Sequence, residues 1–205
     1  MLVRNRSAKL LNEVIPLGLI KKNLLITGLP GVGKTTLIKK LSEALKDFHP
    51  VGFYTEEIRE RGKRKGFELI SLEGKRGLLS HKEIRSSYKV GQYKVDIKSF
   101  EEFLDSISFF NPLTHLIIID EIGKMECFSD QFKKLMKEIL NSEKWVIATV
   151  AFKGSGLIAE IKERQDVQLF EITRSNRDII FWEILNSMEQ SNVKCQSSHE
   201  VMNRR

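Results

Sequence analysis

The run Gly28-Leu29-Pro30-Gly31-Val32-Gly33-Lys34-Thr35-Thr36 constrains this chain more than any other stretch. An apolar segment, Lys22-Asn23-Leu24-Leu25-Ile26-Thr27, leads into it, and Leu37, Ile38, Leu41, Ala44 and Leu45 follow at helical spacing. The order is strand, glycine-rich loop, helix, with a glycine, four residues and then Gly33-Lys34-Thr35. That spacing in that context predicts a loop that wraps phosphate groups. The bland alternative is a glycine-rich strand-to-helix turn with an exposed lysine.

A polyphosphate is a dense anion and needs many donors at short range. Glycines let successive backbone N–H groups point at one centre. A helix beginning near Lys34 adds its own free N–H groups and the positive end of its dipole. Lys34 reaches the β- and γ-phosphates as a mobile point charge, and the Thr35 hydroxyl suits Mg²⁺ bridging those phosphates. Thr36 lies on the α-phosphate side.

Leu116-Ile117-Ile118-Ile119-Asp120-Glu121 is an apolar run that ends in two acids. It predicts a central strand with Asp120 at its carboxyl end, placed to orient a hydrated Mg²⁺. Glu121, one residue on, can align a water against the γ-phosphate and accept its proton. Alone, this pair reads equally well as an acidic turn; after the phosphate loop it reads as its partner. Lys124 and Glu126 either shape the site or are solvated loop residues, and Met125 and Phe128 are expected in the core. Arginines matter because charge builds on the leaving oxygen. The candidates are Arg59, Arg61, Arg64, Arg174 and Arg177, with Arg174 and Arg177 just after a strand at the correct sheet edge. Asn176 between them would contact a base or hold the loop.

Strands alternating with helices predict a mostly parallel sheet with helices on both faces. Val51–Thr55 and Phe67–Leu72 read as strands of a hairpin whose tip is the basic turn Arg59–Gly66, and Lys75–Ser80 and Tyr88–Val95 as further strand segments. Ser99 with Glu102 suggests a capping box before Phe100, Phe103, Leu104 and Ile107. Ser129 should cap a helix carrying Phe132, Leu135, Met136, Ile139 and Leu140. Lys144–Val150 reads as a buried strand, Gly156–Glu163 as a short helix and Val167–Ile172 as a strand. Ser175 with Asp178 would cap a last helix bearing Phe181, Ile184, Leu185 and Met188. The organisation expected is an extension over 1–19, one domain over 20–188 and a polar tail over 189–205.

At 205 residues the chain can bury a full core. No apolar run is long enough to span a bilayer, and a cleavable signal peptide is not expected. Two cysteines far apart, with no metal-ligand spacing, fit a reducing cytoplasm. The four histidines show no ligand spacing. The net charge of +7 fits an enzyme drawing in anionic nucleotides, and also a nucleic-acid partner. A monomer is slightly favoured.

The chain resembles the small nucleoside-triphosphatase family that includes thermophilic bacterial and archaeal enzymes and the human cancer-related NTPase. The resemblance is carried by ITGLPGVGKTTLIKKLSEAL, GFYTEEIRERGKRKGFELISLEGKRGLLSH, VGQYKVDIKSFEEF, LIIIDEIGKMECFS and the TRSNRD segment, in the family's order, from about Leu24 to Asp178. It implies a RecA-like P-loop fold and slow, Mg²⁺-dependent hydrolysis of ATP, GTP and other nucleoside triphosphates, with little base discrimination. It implies nucleotide contacts from Thr27, Gly28, Leu29, Pro30, Gly31, Val32, Gly33, Lys34, Thr35 and Thr36. A second set is implied at Leu116, Ile117, Ile118, Ile119, Asp120, Glu121, Ile122 and Gly123. By match to DEIGKME, Glu121 is the water-activating residue, with Lys34 beside it in catalysis. Residues 1–19 and the tail have no counterpart in the family.

Two other readings compete. One is a P-loop kinase passing the γ-phosphate to a small acceptor, with the basic hairpin as a lid. The other is a nucleotide-switched nucleic-acid-binding module, against which no aromatics interleave the basic residues. A guanine-specific switch is weaker still, because Asn176-Arg177-Asp178 lacks the NKxD spacing.

Overall fold

The structure, a computed structural model, describes residues 21–188. The extension expected over 1–19 and the tail expected over 189–205 lie outside the described residues.

Strand β1 (Asn23–Thr27) runs into the glycine loop and helix α1 (Lys34–Ala44). Then come β2 (Val51–Glu60), β3 (Lys63–Ser71), β4 (Arg76–His81), and the short β5 (Lys89–Val90) and β6 (Tyr93–Val95). Helix α2 (Ile97–Asp105) leads to β7 (Leu116–Ile122), α3 (Asp130–Asn141), β8 (Trp145–Val150), α4 (Leu157–Lys162) and β9 (Val167–Glu171). A last helix, α5, occupies 177–188 of the described residues.

The nine strands of the described residues form one sheet in the order β5-β6-β4-β3-β2-β7-β8-β1-β9. From β2 to β9 the neighbours are parallel. From β2 outward to β5 they are antiparallel. The expected parallel sheet with helices on both faces is therefore present, extended on one side by an antiparallel wing. Strand β7 is central because its apolar run suits burial on both faces. Alternation along the strands sends Leu25, Ile117, Ile119, Val146 and Ala148 to one face, where they meet Phe100, Phe132, Met136 and Ile158 of α2, α3 and α4. Leu24, Ile26, Leu116, Ile118 and Ile147 face the other way, onto Leu37, Ile38, Leu41 and Ile184 of α1 and α5.

The wing differs from the sequence expectation. The basic segment Arg59–Gly66 is not a wide turn. Strands β2 and β3 continue through it and are joined by Arg61-Gly62 alone, both with positive φ, 47° and 78°. Such a two-residue turn matches the twist of the flanking strands. The charges sit in the ladder because opposite signs meet there: Arg64 Nη1 lies 2.6 Å from Glu57 Oε1, and Lys65 Nζ lies 3.5 Å from Glu60 Oε2. Two caps also differ. Asp96, not Ser99, caps α2 by accepting from the Ser99 amide at 3.0 Å. At α5 the first helical turn closes on the Asn176 carbonyl, not on Ser175. Ser129 caps α3 as expected, accepting from the Phe132 amide.

Candidate active site

The carboxyl ends of β1 and β7 lie on the same edge of the parallel sheet, where ligands bind in such folds. Helix α1 starts there with Gly33 as its N-cap, no side chain bonded to the free amides and no acidic residue in its first turn. Its N-terminal N–H groups are therefore open to an anion. Gly33 has φ of 102°, and a β-carbon on it would lie 2.5 Å from Arg177 Nη1. Only glycine fits that position, and the Arg177 guanidinium is pressed against the loop. The Arg177 Nε is buried and has no hydrogen-bond partner.

Lys34 is 9% exposed. Its Nζ donates to the Gly28 carbonyl at 3.2 Å and lies 3.5 Å from Glu121 Oε2. Thr35 Oγ1 donates to Asp120 Oδ2 at 2.6 Å, and Thr149 Oγ1 donates to Asp120 Oδ1 at 2.5 Å. Asp120 is 1% exposed. Burial pushes its carboxyl up from the ordinary range, and the two threonine hydroxyls and Lys34 oppose that push. Burial also raises Glu121, with Lys34 pulling it down and Asp120 adding to the rise. A carboxylate raised by burial yet held next to a cation has the environment of a tuned base.

Thr27 is buried and donates to the Val150 carbonyl at 3.1 Å, which ties β1 to β8. Leu116, Ile117, Ile118, Ile119 and Ile122 are fully enclosed between the helix layers. These side chains serve the core, and the strand they build carries Asp120 and Glu121 to the sheet edge. Gly123 does reach the site, and a β-carbon there would lie 2.8 Å from Glu126 Oε2 and 3.1 Å from Glu121 Oε1.

Two cavities flank the loop. The larger, about 620 Å³, includes Gly31, Gly33, Lys34, Thr35, Thr36, Glu121 and Gly123 in its lining. The smaller, about 350 Å³, lies against Leu29, Pro30, Gly31, Val32 and the segment Glu171–Arg174. The structure thus parts the two arginines singled out by sequence. Arg177 packs on Gly33, whereas Arg174 is exposed on the turn beside the smaller cavity. Asn176 holds that turn together, accepting from the Thr173 amide at 2.7 Å and donating to the Glu171 carbonyl at 3.1 Å. Of the wing arginines, Arg64 lines the larger cavity, while Arg59 is tied to Glu57 and the Gly62 carbonyl.

Sequence reasoning missed Thr149 and left Glu126 open between the site and a solvated loop; the structure places it at the site. The signal for Thr149 was a lone polar residue inside the apolar strand Trp145–Val150. Glu126 is 5% exposed in a short turn after β7, and burial pushes its carboxyl up to about 8.

A family model described as NTPase matches residues 23–185. The chain belongs to this NTPase family. It is 47% identical to the nucleoside-triphosphatase THEP1 of Thermotoga sp. (strain RQ2), covering 81% of this chain and 95% of that one. It is 39% identical to the human cancer-related nucleoside-triphosphatase, covering 83% of this chain and 98% of the relative. The crystal structure of THEP1 from the hyperthermophile Aquifex aeolicus is similar in fold, with a TM-score of 0.70 at 38% identity over 80% of this chain and 97% of that one. As an NTPase-family P-loop fold, the chain carries the loop, the acid pair Asp120-Glu121 and both cavities within the matched region. Among its described residues, no helix is long and apolar enough to cross a membrane.

Proposed function

We propose that this chain hydrolyses nucleoside triphosphates to the diphosphate and phosphate, with Mg²⁺ and with little preference among bases. The observation that carries the reading is the meeting of Lys34, Thr35, Asp120 and Glu121 beneath the glycine loop, at the wall of the larger cavity.

The helix amides and Lys34 bind the phosphate tail. Lys34 is held between the Gly28 carbonyl and Glu121, so its charge is in place before substrate arrives. The oxygen donors of Thr35 and Asp120 fit a hard cation, and the 2.6 Å contact between them puts both at one point. Among the described residues no group of three or more His, Cys, Asp or Glu could hold a metal by itself. That fits Mg²⁺, which is taken up largely through substrate phosphates and water. Thr35 would hold it directly and Asp120 through water. An Mg²⁺ ion held by these residues would supply positive charge against the phosphate tail as negative charge builds there.

Glu121 orients the attacking water and accepts its proton. Arg177, against Gly33, can turn its unpartnered guanidinium N–H toward phosphate oxygens. Arg174 would face the nucleoside end. Leu29, Pro30 and Val32 give that end apolar surface on which any base can pack, and its polar residues, Glu171, Thr173 and Arg174, are all exposed. This supports low base discrimination.

The test is phosphate release from a panel of nucleoside triphosphates by the wild type and by Glu121→Gln. The variant should bind nucleotide and turn over at least about a hundredfold more slowly, the scale of a lost general base. Unchanged turnover would refute the role of Glu121.

A further inference from the structure

The larger cavity extends well past the groups that hydrolysis uses. Beyond Lys34, Thr35 and Glu121 it is walled by Thr55 and Glu57 of β2, Arg64 and Phe67 of β3, and Leu79 of β4. Val90 of β5, the exposed Lys124, Met125, Glu126 and Ala151 continue it. The phosphate end of a triphosphate held by the glycine loop would fill only its mouth. At about 620 Å³ the whole space is of ordinary size for a small-molecule site.

Its chemistry is specific. Phe67, Leu79, Val90 and Met125 give an apolar surface on which a planar ring can lie. Arg64 is fixed at the rim. It stacks 5.1 Å from the Phe67 ring centroid and 5.2 Å from that of Tyr93, donates to the Tyr93 hydroxyl at 2.8 Å, and pairs with Glu57 at 2.6 Å. Glu57 is shared by Arg64 and Arg59, and the cluster still leaves donors and acceptors for a polar edge. Glu126 is buried on the side nearest Glu121, and burial raises its carboxyl and disfavours a second anion there. Lys124 is exposed at the wall's outer side, and the wall inside it suits an uncharged ligand.

We propose that this cavity binds a small uncharged alcohol carrying a planar ring, of nucleoside type, and that the chain transfers the γ-phosphoryl group to its hydroxyl. The proposal rests on the reading that the glycine loop holds a nucleoside triphosphate. The acceptor oxygen attacks the γ-phosphorus and forms a new O–P bond. The bond from that phosphorus to the β–γ bridging oxygen breaks, and the electron pair leaves on the nucleoside diphosphate. The acceptor's hydroxyl proton passes to the Glu121 carboxylate and then to solvent. Water in the acceptor's place gives hydrolysis by the same displacement.

The test incubates the full chain with ATP and Mg²⁺, alone and with adenosine, guanosine, cytidine, uridine or thymidine. Nucleoside monophosphate and free phosphate are then quantified. At least one nucleoside should yield its monophosphate. The ratio of monophosphate to free phosphate should fall about tenfold in Phe67→Ala, on the scale of a lost aromatic contact. It should fall likewise in Arg64→Gln, whose exposed position avoids a folding defect. Phosphate release with no monophosphate from any nucleoside overturns the proposal and leaves the hydrolase reading standing. Nucleosides that compete with ATP without being phosphorylated also overturn it, since they then occupy the site of the triphosphate's own base. Transfer without hydrolysis supports the proposal and removes the hydrolase reading, and the absence of both reactions removes both.

Discussion

In the parallel half of the sheet, polar side chains are buried and bonded across strands. Thr35 and Thr149 grip the two oxygens of Asp120, and Lys34 lies between Gly28 and Glu121. In the antiparallel wing, charges pair on the surface: Arg64 and Arg59 with Glu57, Arg76 with Glu68, Lys65 with Glu83. The two halves hold similar groups, yet water is kept from Asp120, Thr149 and Lys34 and reaches the wing pairs, with Glu121 at the boundary. Excluding water makes each contact near Asp120 costly to lose, whereas exposed pairs are screened and weak. The buried half is therefore where charge can be held ready for chemistry, and the wing is where it shapes a wall.

Three substitutions break or sharpen this contrast. The largest effect on stability should come from Glu126→Gln. The Glu126 carboxyl is raised from its ordinary 4.5 to about 8 in the folded chain. Its protonated form is therefore the one the fold favours. Its contribution is fully present below about pH 4.5 and is lost as pH rises through about 8. The variant does not titrate there, so its stability relative to wild type should improve across that interval by up to roughly 4–5 kcal/mol. Denaturant unfolding at a series of pH values measures this. A difference that stays flat with pH would mean that the carboxyl is not desolvated.

Thr149→Val should rank next. It keeps the shape of a fully buried side chain and strips one donor from Asp120. A cost of about 1–3 kcal/mol in chemical denaturation is expected. A neutral result would show that Asp120 is better hydrated than its 1% exposure implies. The smallest effect belongs to Glu57→Gln in the wing, where both partners of the Arg64 pair are about a third or more exposed. Its loss should cost less than about 1 kcal/mol, and high salt should erase it. A larger, salt-resistant loss would put this pair in the same class as the Asp120 contacts.

The same contrast explains what could be read from residues alone. The glycine loop and Leu116–Glu121 were legible because backbone geometry and an apolar run dictate them locally. The parallel half followed from the alternation of strands and helices. In the wing, Arg59–Lys65 read as a turn because its composition is polar. What keeps it in strands is cross-strand pairing with Glu57 and Glu60, which one strand's sequence does not display. Asp96 does not stand out as the cap of α2 because Ser99-x-x-Glu102 imitates a capping box three residues late. Thr149, Glu126 and the packing of Arg177 on Gly33 depend on strand order and on chain far away in sequence. Only the fold brings them together.

The account rests on a triphosphate tail lying between the glycine loop and the acid pair of β7. The most direct measurement is a structure of the chain with a non-hydrolysable nucleoside triphosphate and Mg²⁺. We predict a γ-phosphate in contact with Lys34, at the mouth of the larger cavity, with a water between it and Glu121 and the metal at Thr35. A γ-phosphate far from both Asp120 and Glu121 would contradict the account.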